Sequence, residues 1–107
     1  MSTARKILVV DDEDDLRESL VDQLELYEEF ATESAATASE GMAKARADTA
    51  DLIIMDVGLP DMDGREACKL LRKNGFKGPI VMLTAQSSDA DTILGLESGA
   101  NDYITKP

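Results

Sequence analysis

Three aspartates, a threonine and a lysine stand where apolar runs end. Asp11 and Asp12 follow Ile7-Leu8-Val9-Val10, and Asp56 follows Leu52-Ile53-Ile54-Met55. Thr84 follows Ile80-Val81-Met82-Leu83, and Lys106 comes just after Tyr103-Ile104. If these runs are parallel strands of one sheet, three carboxylates, a hydroxyl and an ammonium meet at one edge. Acids gathered that closely repel unless a cation neutralises them or some keep a proton. Carboxylates, water and carbonyl oxygens suit Mg²⁺ better than a soft metal. A carboxylate is also a covalent nucleophile in aspartyl-phosphate chemistry. Its attack on a phosphoryl group brings two anions together, and a divalent cation with an ammonium offsets that repulsion. A hydroxyl then hydrogen-bonds a phosphoryl oxygen of the product. Asp56, Asp11, Asp12, Lys106 and Thr84 supply these parts.

The elements that must position them are readable in outline. Runs that are apolar at every position suit strands covered on both faces. The runs at 7, 52 and 80 are of this kind, with weaker strands expected near Phe30-Ala31-Thr32 and at Tyr103-Ile104. Leu16, Leu20, Leu24 and Tyr27 form one helical stripe. Thr37 with Glu40 is a capping-box pattern that opens a helix through about Asp48. Asp63 with Glu66 offers a similar start to a helix carrying Ala67, Leu70 and Leu71. Ser88 is placed to cap a fourth helix ending at Gly99, softened by Gly95 inside it. Strand–helix alternation with short connections predicts an α/β fold: an open parallel sheet with helices on both faces. Ligands of such sheets bind beyond the carboxyl ends of the strands.

Composition narrows the function classes. A chain of 107 residues fits one compact domain. Acids outnumber bases 22 to 11, a formal charge of −11, so nucleic-acid backbones repel this segment. There is no histidine, which removes Ser-His-Asp triads and histidine metal sites. Any phosphohistidine donor must then lie in another molecule or in another part of a longer chain. Cys68 is the only cysteine, so an intrachain disulfide is excluded, and it is expected to be a packing residue. No apolar run approaches the ~20 residues that span a bilayer. The N-terminus meets acids too soon for a signal peptide. The cytoplasm is the simplest location, with no membrane partner.

Taken together, four segments resemble the receiver domains of two-component response regulators. They are Val9-Val10-Asp11-Asp12-Glu13, Ile54-Met55-Asp56-Val57-Gly58-Leu59-Pro60-Asp61-Met62-Asp63-Gly64, Met82-Leu83-Thr84-Ala85, and Gly99-Ala100-Asn101-Asp102-Tyr103-Ile104-Thr105-Lys106-Pro107. Thr84 lies 28 positions after Asp56 and Lys106 lies 50 after it, which matches the family. The resemblance implies a flavodoxin-like, doubly wound five-stranded sheet of order 2-1-3-4-5, a family property rather than something the spacing shows. It implies that Asp56 is phosphorylated by a histidine kinase or phosphotransfer protein. Asp12 and Asp56 would ligate Mg²⁺ through side chains, Asp11 mainly through water, and Gly58 through its backbone carbonyl. Thr84 and Lys106 would contact the phosphoryl group, and Tyr103 would turn inward as an aromatic switch when Thr84 moves. Gly58 and Gln86 flank the site and would tune the phosphoryl lifetime. The domain is thus expected to be a switch rather than an enzyme, with at most slow self-dephosphorylation. The bistable element is expected to comprise Thr84, the loop Ala85 to Asp89, the fourth helix and Tyr103.

Plainer roles fit other residues. Asp14 and Asp15 suit an acidic helix start, and Glu13 neighbours the metal without ligating it. Pro60 and Gly64 shape the loop after Asp56, and Met42, Met55, Met62 and Met82 are packing or loop residues. Asp61-Met62-Asp63-Gly64 imitates the D-x-D-G of haloacid-dehalogenase-type phosphatases, whose first Asp ends a strand. Here Val57-Gly58-Leu59-Pro60 intervenes, so the phosphatase alternative is weak. Asp11 to Asp15 lacks the alternate acids, central Gly and terminal Glu of an EF-hand loop. The segment from Gly95 to Pro107 looks most like the OmpR/PhoB-type subfamily, with a winged-helix DNA-binding output. That implies a transcription regulator as parent and a homodimer through the fourth-helix and fifth-strand face, where Asn101 replaces the usual acid. A stand-alone phosphorelay receiver is the alternative. Receivers carry a fifth helix after the Lys-Pro. The expectation is therefore a receiver over 1–107 cut short at its C-terminus, with apolar surface exposed beside the first helix or covered by pairing.

Overall fold

The computed structural model describes residues 4–48, 50–85 and 99–106. Five strands, Arg5–Val10 (β1), Phe30–Ala35 (β2), Leu52–Asp56 (β3), Ile80–Thr84 (β4) and Asp102–Thr105 (β5), form one sheet. All pairings are parallel, in the order β2-β1-β3-β4-β5. Among the described residues three helices connect β1 to β4 in turn: Asp14–Glu25 (α1), Ala38–Ala47 (α2) and Gly64–Lys73 (α3). The predicted fourth helix, with Ser88 and Gly95, and the residue Gln86 lie outside the described residues. Among the described residues no helix is long and apolar enough to cross a membrane.

The pleat sorts the strand residues between two layers. Leu8, Ile53 and Ile80 are in register across β1, β3 and β4, as are Val10, Met55 and Met82. They pack with Ala38 and Ala45 of α2 and with Ala67, Cys68 and Leu71 of α3, and this is the core. Met42 and Met62 pack against it, so the methionines are packing residues as expected. On the other face α1 brings Leu20 and Leu24 beside Ile54. That layer is thinner: no residue of α1 is fully buried, and Ile104 is 48% exposed.

Local chemistry explains most helix ends. Thr37 Oγ1 accepts from the Glu40 N–H at 3.1 Å, and Asp63 Oδ1 accepts from the Arg65 N–H at 2.8 Å. The partners of the two capping boxes turn outward: Glu40 pairs with Lys44 at 3.5 Å and Glu66 with Lys69 at 3.7 Å. The expected stripe on α1 loses its last member. The helix ends at Glu25, and Leu26 and Tyr27 close it with shorter-range bonds to Gln23 and Leu24 carbonyls. Tyr27 is therefore carried off the helix and sits edge-on to Phe30, with ring centroids 5.8 Å apart.

At the edge of the sheet, Arg72 acts as a clasp. Its guanidinium donates to the carbonyls of Gly99 (2.9 Å), Phe76 (3.0 Å) and Gly78 (2.6 Å) and to Asn101 Oδ1 (2.8 Å). The same Asn101 oxygen accepts the Ile80 N–H at 3.0 Å, so it ties the entry of β4 to the entry of β5. Asn101 is thus committed to the clasp through its oxygen. Replacing Arg72 by Ala is expected to lower stability by about 2–3 kcal/mol in urea unfolding, because carbonyls lose a charged donor. Lysine should recover less than half of that, since an ammonium does not span the fork. An unchanged midpoint would show that water replaces these bonds.

Candidate functional site

Hydrogen bonding carries the strand ladders just past the strand ends, and this sets the site backbone. The Asp11 N–H donates to Ala35 O at 3.0 Å, the Val57 N–H to Leu83 O at 2.9 Å, and the Lys106 N–H to Thr84 O at 2.7 Å. Asp11, Asp56, Thr84 and Lys106 therefore leave neighbouring strands at one level. The structure brings together the residues expected from the sequence: Asp12, Asp56, Gly58, Thr84, Tyr103 and Lys106 line one cleft of 390 Å³. Asp11 lies beneath them, fully buried.

Ligand oxygens of Asp11, Asp12 and Asp56 lie within 4.8 Å of one another. Asp11 Oδ1 accepts the Glu13 N–H at 2.9 Å. Its other oxygen is buried and accepts no hydrogen bond, although Lys106 Nζ lies 3.3 Å away. An orphaned buried carboxylate oxygen in a three-acid cluster fits a hard cation. Arg17 holds the turn from behind, donating to Asp11 O at 2.7 Å and to Asp14 Oδ1 at 2.6 Å.

Lys106 joins the acids. Its Nζ lies 3.2 Å from Asp56 Oδ1 and 2.9 Å from Glu13 Oε1. Burial favours the neutral amine, but Glu13, Asp56 and Asp11 outweigh it and hold the ammonium above the usual lysine range. Asp56 is pushed the other way for an acid, up to about 6. Burial is the main cause and the Asp11 charge adds to it, while Lys106 and the Gly58 N–H, 3.3 Å from Oδ1, oppose them.

The loop after Asp56 requires one glycine. A Cβ on Gly64 would lie 2.0 Å from the Asp56 carbonyl oxygen, a backbone atom that has nowhere to go. Gly64 also donates its N–H to Val57 O at 2.8 Å. The expectation that Gly64 shapes this loop therefore has a steric cause. A Cβ on Gly58 would meet nothing within 4 Å. Tyr103 is half-buried against the core, and Thr84 is buried at the end of β4.

This geometry has close relatives. Residues 7–107 match the response regulator receiver domain family. The chain belongs to that family. As a receiver domain of a two-component response regulator, it is a phosphoacceptor switch module of phosphorelay signalling. It is 48% identical over 106 residues to the alkaline phosphatase synthesis transcriptional regulatory protein PhoP of Bacillus subtilis, an OmpR/PhoB-type regulator. That match takes in 96% of this chain but 42% of PhoP, so the receiver spans less than half the length of that relative. The chemotaxis protein CheY4 of Vibrio cholerae superposes with a TM-score of 0.92 at 34% identity, covering 97% of this chain and 88% of that one. A Burkholderia pseudomallei response regulator, solved with a phosphorylated aspartic acid and a calcium ion, gives 0.88 at 26% identity, covering 96% and 60%.

Two side chains of the receiver's cleft carried no role in the sequence. Glu13 stood only as a neighbour of the metal, yet it makes the shortest contact to Lys106. Arg65 lines the cleft mouth and pairs with Asp63 at 2.7 Å. Glu13 and Lys106 are 93 positions apart, and no local signal links them.

The raised Asp56 pKa gives a pH test. An acid that binds its proton more tightly when folded loses stability as pH rises from 3.8 through about 6, and stays level above. In metal-free buffer, Asp56→Asn should be more stable than wild type by roughly 1–3 kcal/mol at pH 7.5. The gain should fall to about a third of that at pH 4.5, where the folded carboxyl is already protonated while the unfolded one is largely ionised. Urea unfolding at both pH values measures it, and an equal difference at both would remove Asp56 as the source of strain.

Proposed function

We propose that Asp56 accepts a phosphoryl group from a phosphohistidine of a partner kinase or phosphotransfer protein. The observation that carries this reading is the Lys106 ammonium bridging the buried Asp56 and Asp11, on the floor of an acidic cleft. The nucleophile, a charge-neutralising cation and a place for a metal are thereby on one side of the sheet. An Asp56 oxygen forms the new O–P bond as the donor's N–P bond breaks. The donor nitrogen keeps the electron pair, and no oxidant or reductant is needed.

Asp12 and Asp56 would hold Mg²⁺ through their side chains, Asp11 through water and Gly58 through its carbonyl. The bound ion would supply charge neutralisation for the incoming phosphoryl oxygens. Lys106 lies 3.2 Å from the nucleophile, so it is placed to pair with a phosphoryl oxygen while Glu13 holds its other side. Thr84 would donate its hydroxyl to the product, and Tyr103, lining the same cleft, would respond to that movement. The space beside Gly58 is open, since a Cβ there would meet nothing within 4 Å, and Gly58 with Gln86 would set the phosphoryl lifetime. The name of the PhoP relative supports an output in transcription; an effector domain, a paired receiver and a cytoplasmic location complete the proposed reading. The phosphorylated aspartate and calcium ion of the Burkholderia protein support the acceptor and metal roles.

Incubation with a small phosphodonor and Mg²⁺ should give one hydroxylamine-labile phosphoryl group per chain. The adduct should be lost in Asp56→Asn and when a chelator removes the metal. Intact-mass measurement reads both. An adduct that persists in Asp56→Asn would sink the assignment, and rapid multiple turnover of a phosphoester would favour a phosphatase.

A further inference from the structure

We propose that Asp61 is a positioning residue. It would lash the Val57–Asp63 loop to the start of α2 and so hold the Gly58 carbonyl where a divalent cation needs it. The inference rests on the metal role of Gly58 proposed above.

Asp61 is the first acid of the segment that imitates a phosphatase motif, and it lies outside the acceptor site. Its Oδ1 accepts the Ala38 N–H at 2.9 Å. Its Oδ2 accepts the Ser39 N–H at 2.9 Å and the Ser39 hydroxyl at 2.8 Å. The bonds to the Ser39 and Ala38 amides pull its carboxyl down to about 2, so it is charged throughout the neutral range. The first amides of a helix have no partner within it. In α2 the local cap Thr37 takes the Glu40 N–H, and Asp61 takes the two before it. One helix start thus has two caps, a local one and one reaching in from a loop 22 residues on.

The far end of the loop is fixed by other means. Asp63 caps α3 through the Arg65 N–H, and Gly58 and Asp63 form an antiparallel bridge. Gly64 lies against the Asp56 carbonyl. Leu59 is buried in the core, while Gly58, Pro60 and Asp61 are exposed. Without Asp61 the exposed half of the loop has no tie to α2 among the described bonds, and Gly58 is three residues away from that release. The two acids of the motif therefore serve two helices, and the carbonyl between them and Asp56 is held from both ends.

Thr37 provides the control, because Thr37→Ala weakens the same helix start without touching the loop. Mg²⁺ titration of the full chain followed by amide chemical shifts, together with thermal unfolding, makes the comparison. Both Asp61→Ala and Thr37→Ala should lower the thermal midpoint. Only Asp61→Ala should weaken Mg²⁺ binding, by about tenfold, as loss of an outer partner of a metal site does. In metal-free protein, only Asp61→Ala should move the Gly58 amide resonance, and Asp61→Asn, which keeps one acceptor, should move it less. A wild type that binds Mg²⁺ with an Asp61→Ala that binds it equally well overturns this inference alone. Equal weakening by Thr37→Ala also overturns it, since the helix cap would then be the whole cause. A wild type that binds no Mg²⁺ overturns the phosphoacceptor reading and this inference with it.

Discussion

Two carboxylates, Asp11 and Asp56, are buried beside each other at the carboxyl edge of the sheet, and one ammonium lies against both. Like charges in a poorly solvated place repel strongly, and removing them from water adds a penalty that a single cation offsets only in part. The raised Asp56 pKa and the unbonded Asp11 oxygen are two signs of the same unmet demand for positive charge. A receiver can exploit this. A site that gains stability when a cation enters, and whose charge pattern changes when a phosphoryl group is added, has the energetic means to couple chemistry to shape.

The remainder of the fold keeps that edge from relaxing. Parallel ladders hold Asp11, Asp56 and Lys106 by their backbones, and the core beneath them is continuous through Val10, Met55 and Met82. Arg17 grips the carbonyl of Asp11 from α1, and Gly64 presses on the carbonyl of Asp56 from α3. Arg72 and Asn101 fix the entries of β4 and β5, the strands that deliver Thr84 and Lys106. Repulsion among the acids would otherwise be relieved by small backbone shifts, and these restraints oppose such shifts.

Acidic residues in this chain divide by what they face. Asp61 and Asp63 resemble a catalytic motif but face helix amides, where an exposed carboxylate is favoured. Asp48 and Asp51 face Lys6 at the opposite end of the sheet. Asp11, Asp12 and Asp56 alone among the described residues share one site with ligand oxygens close enough for a single ion. Sequence type does not separate these groups, but position relative to the strand ends does.

Much of this was legible beforehand because it is set by short-range rules. Apolar runs marked β1, β3 and β4, each run's end marked a site residue, and Thr37 and Asp63 marked helix starts. The family motifs carried the strand order, which local pattern alone left open. Tyr27 was misplaced because helical periodicity continues past the point where the backbone tightens and leaves the helix. The contacts of Glu13 with Lys106, of Asp61 with Ala38 and Ser39, and of Arg72 with Asn101 join residues far apart in the chain. No periodicity or propensity encodes such contacts. The sequence by itself determined which groups stand at the strand ends and hence the chemistry on offer. Only the tertiary structure decided which lysine faces which acid and which carboxylate is left wanting a cation, because those follow from burial and from distances between strands that meet only once the sheet has formed.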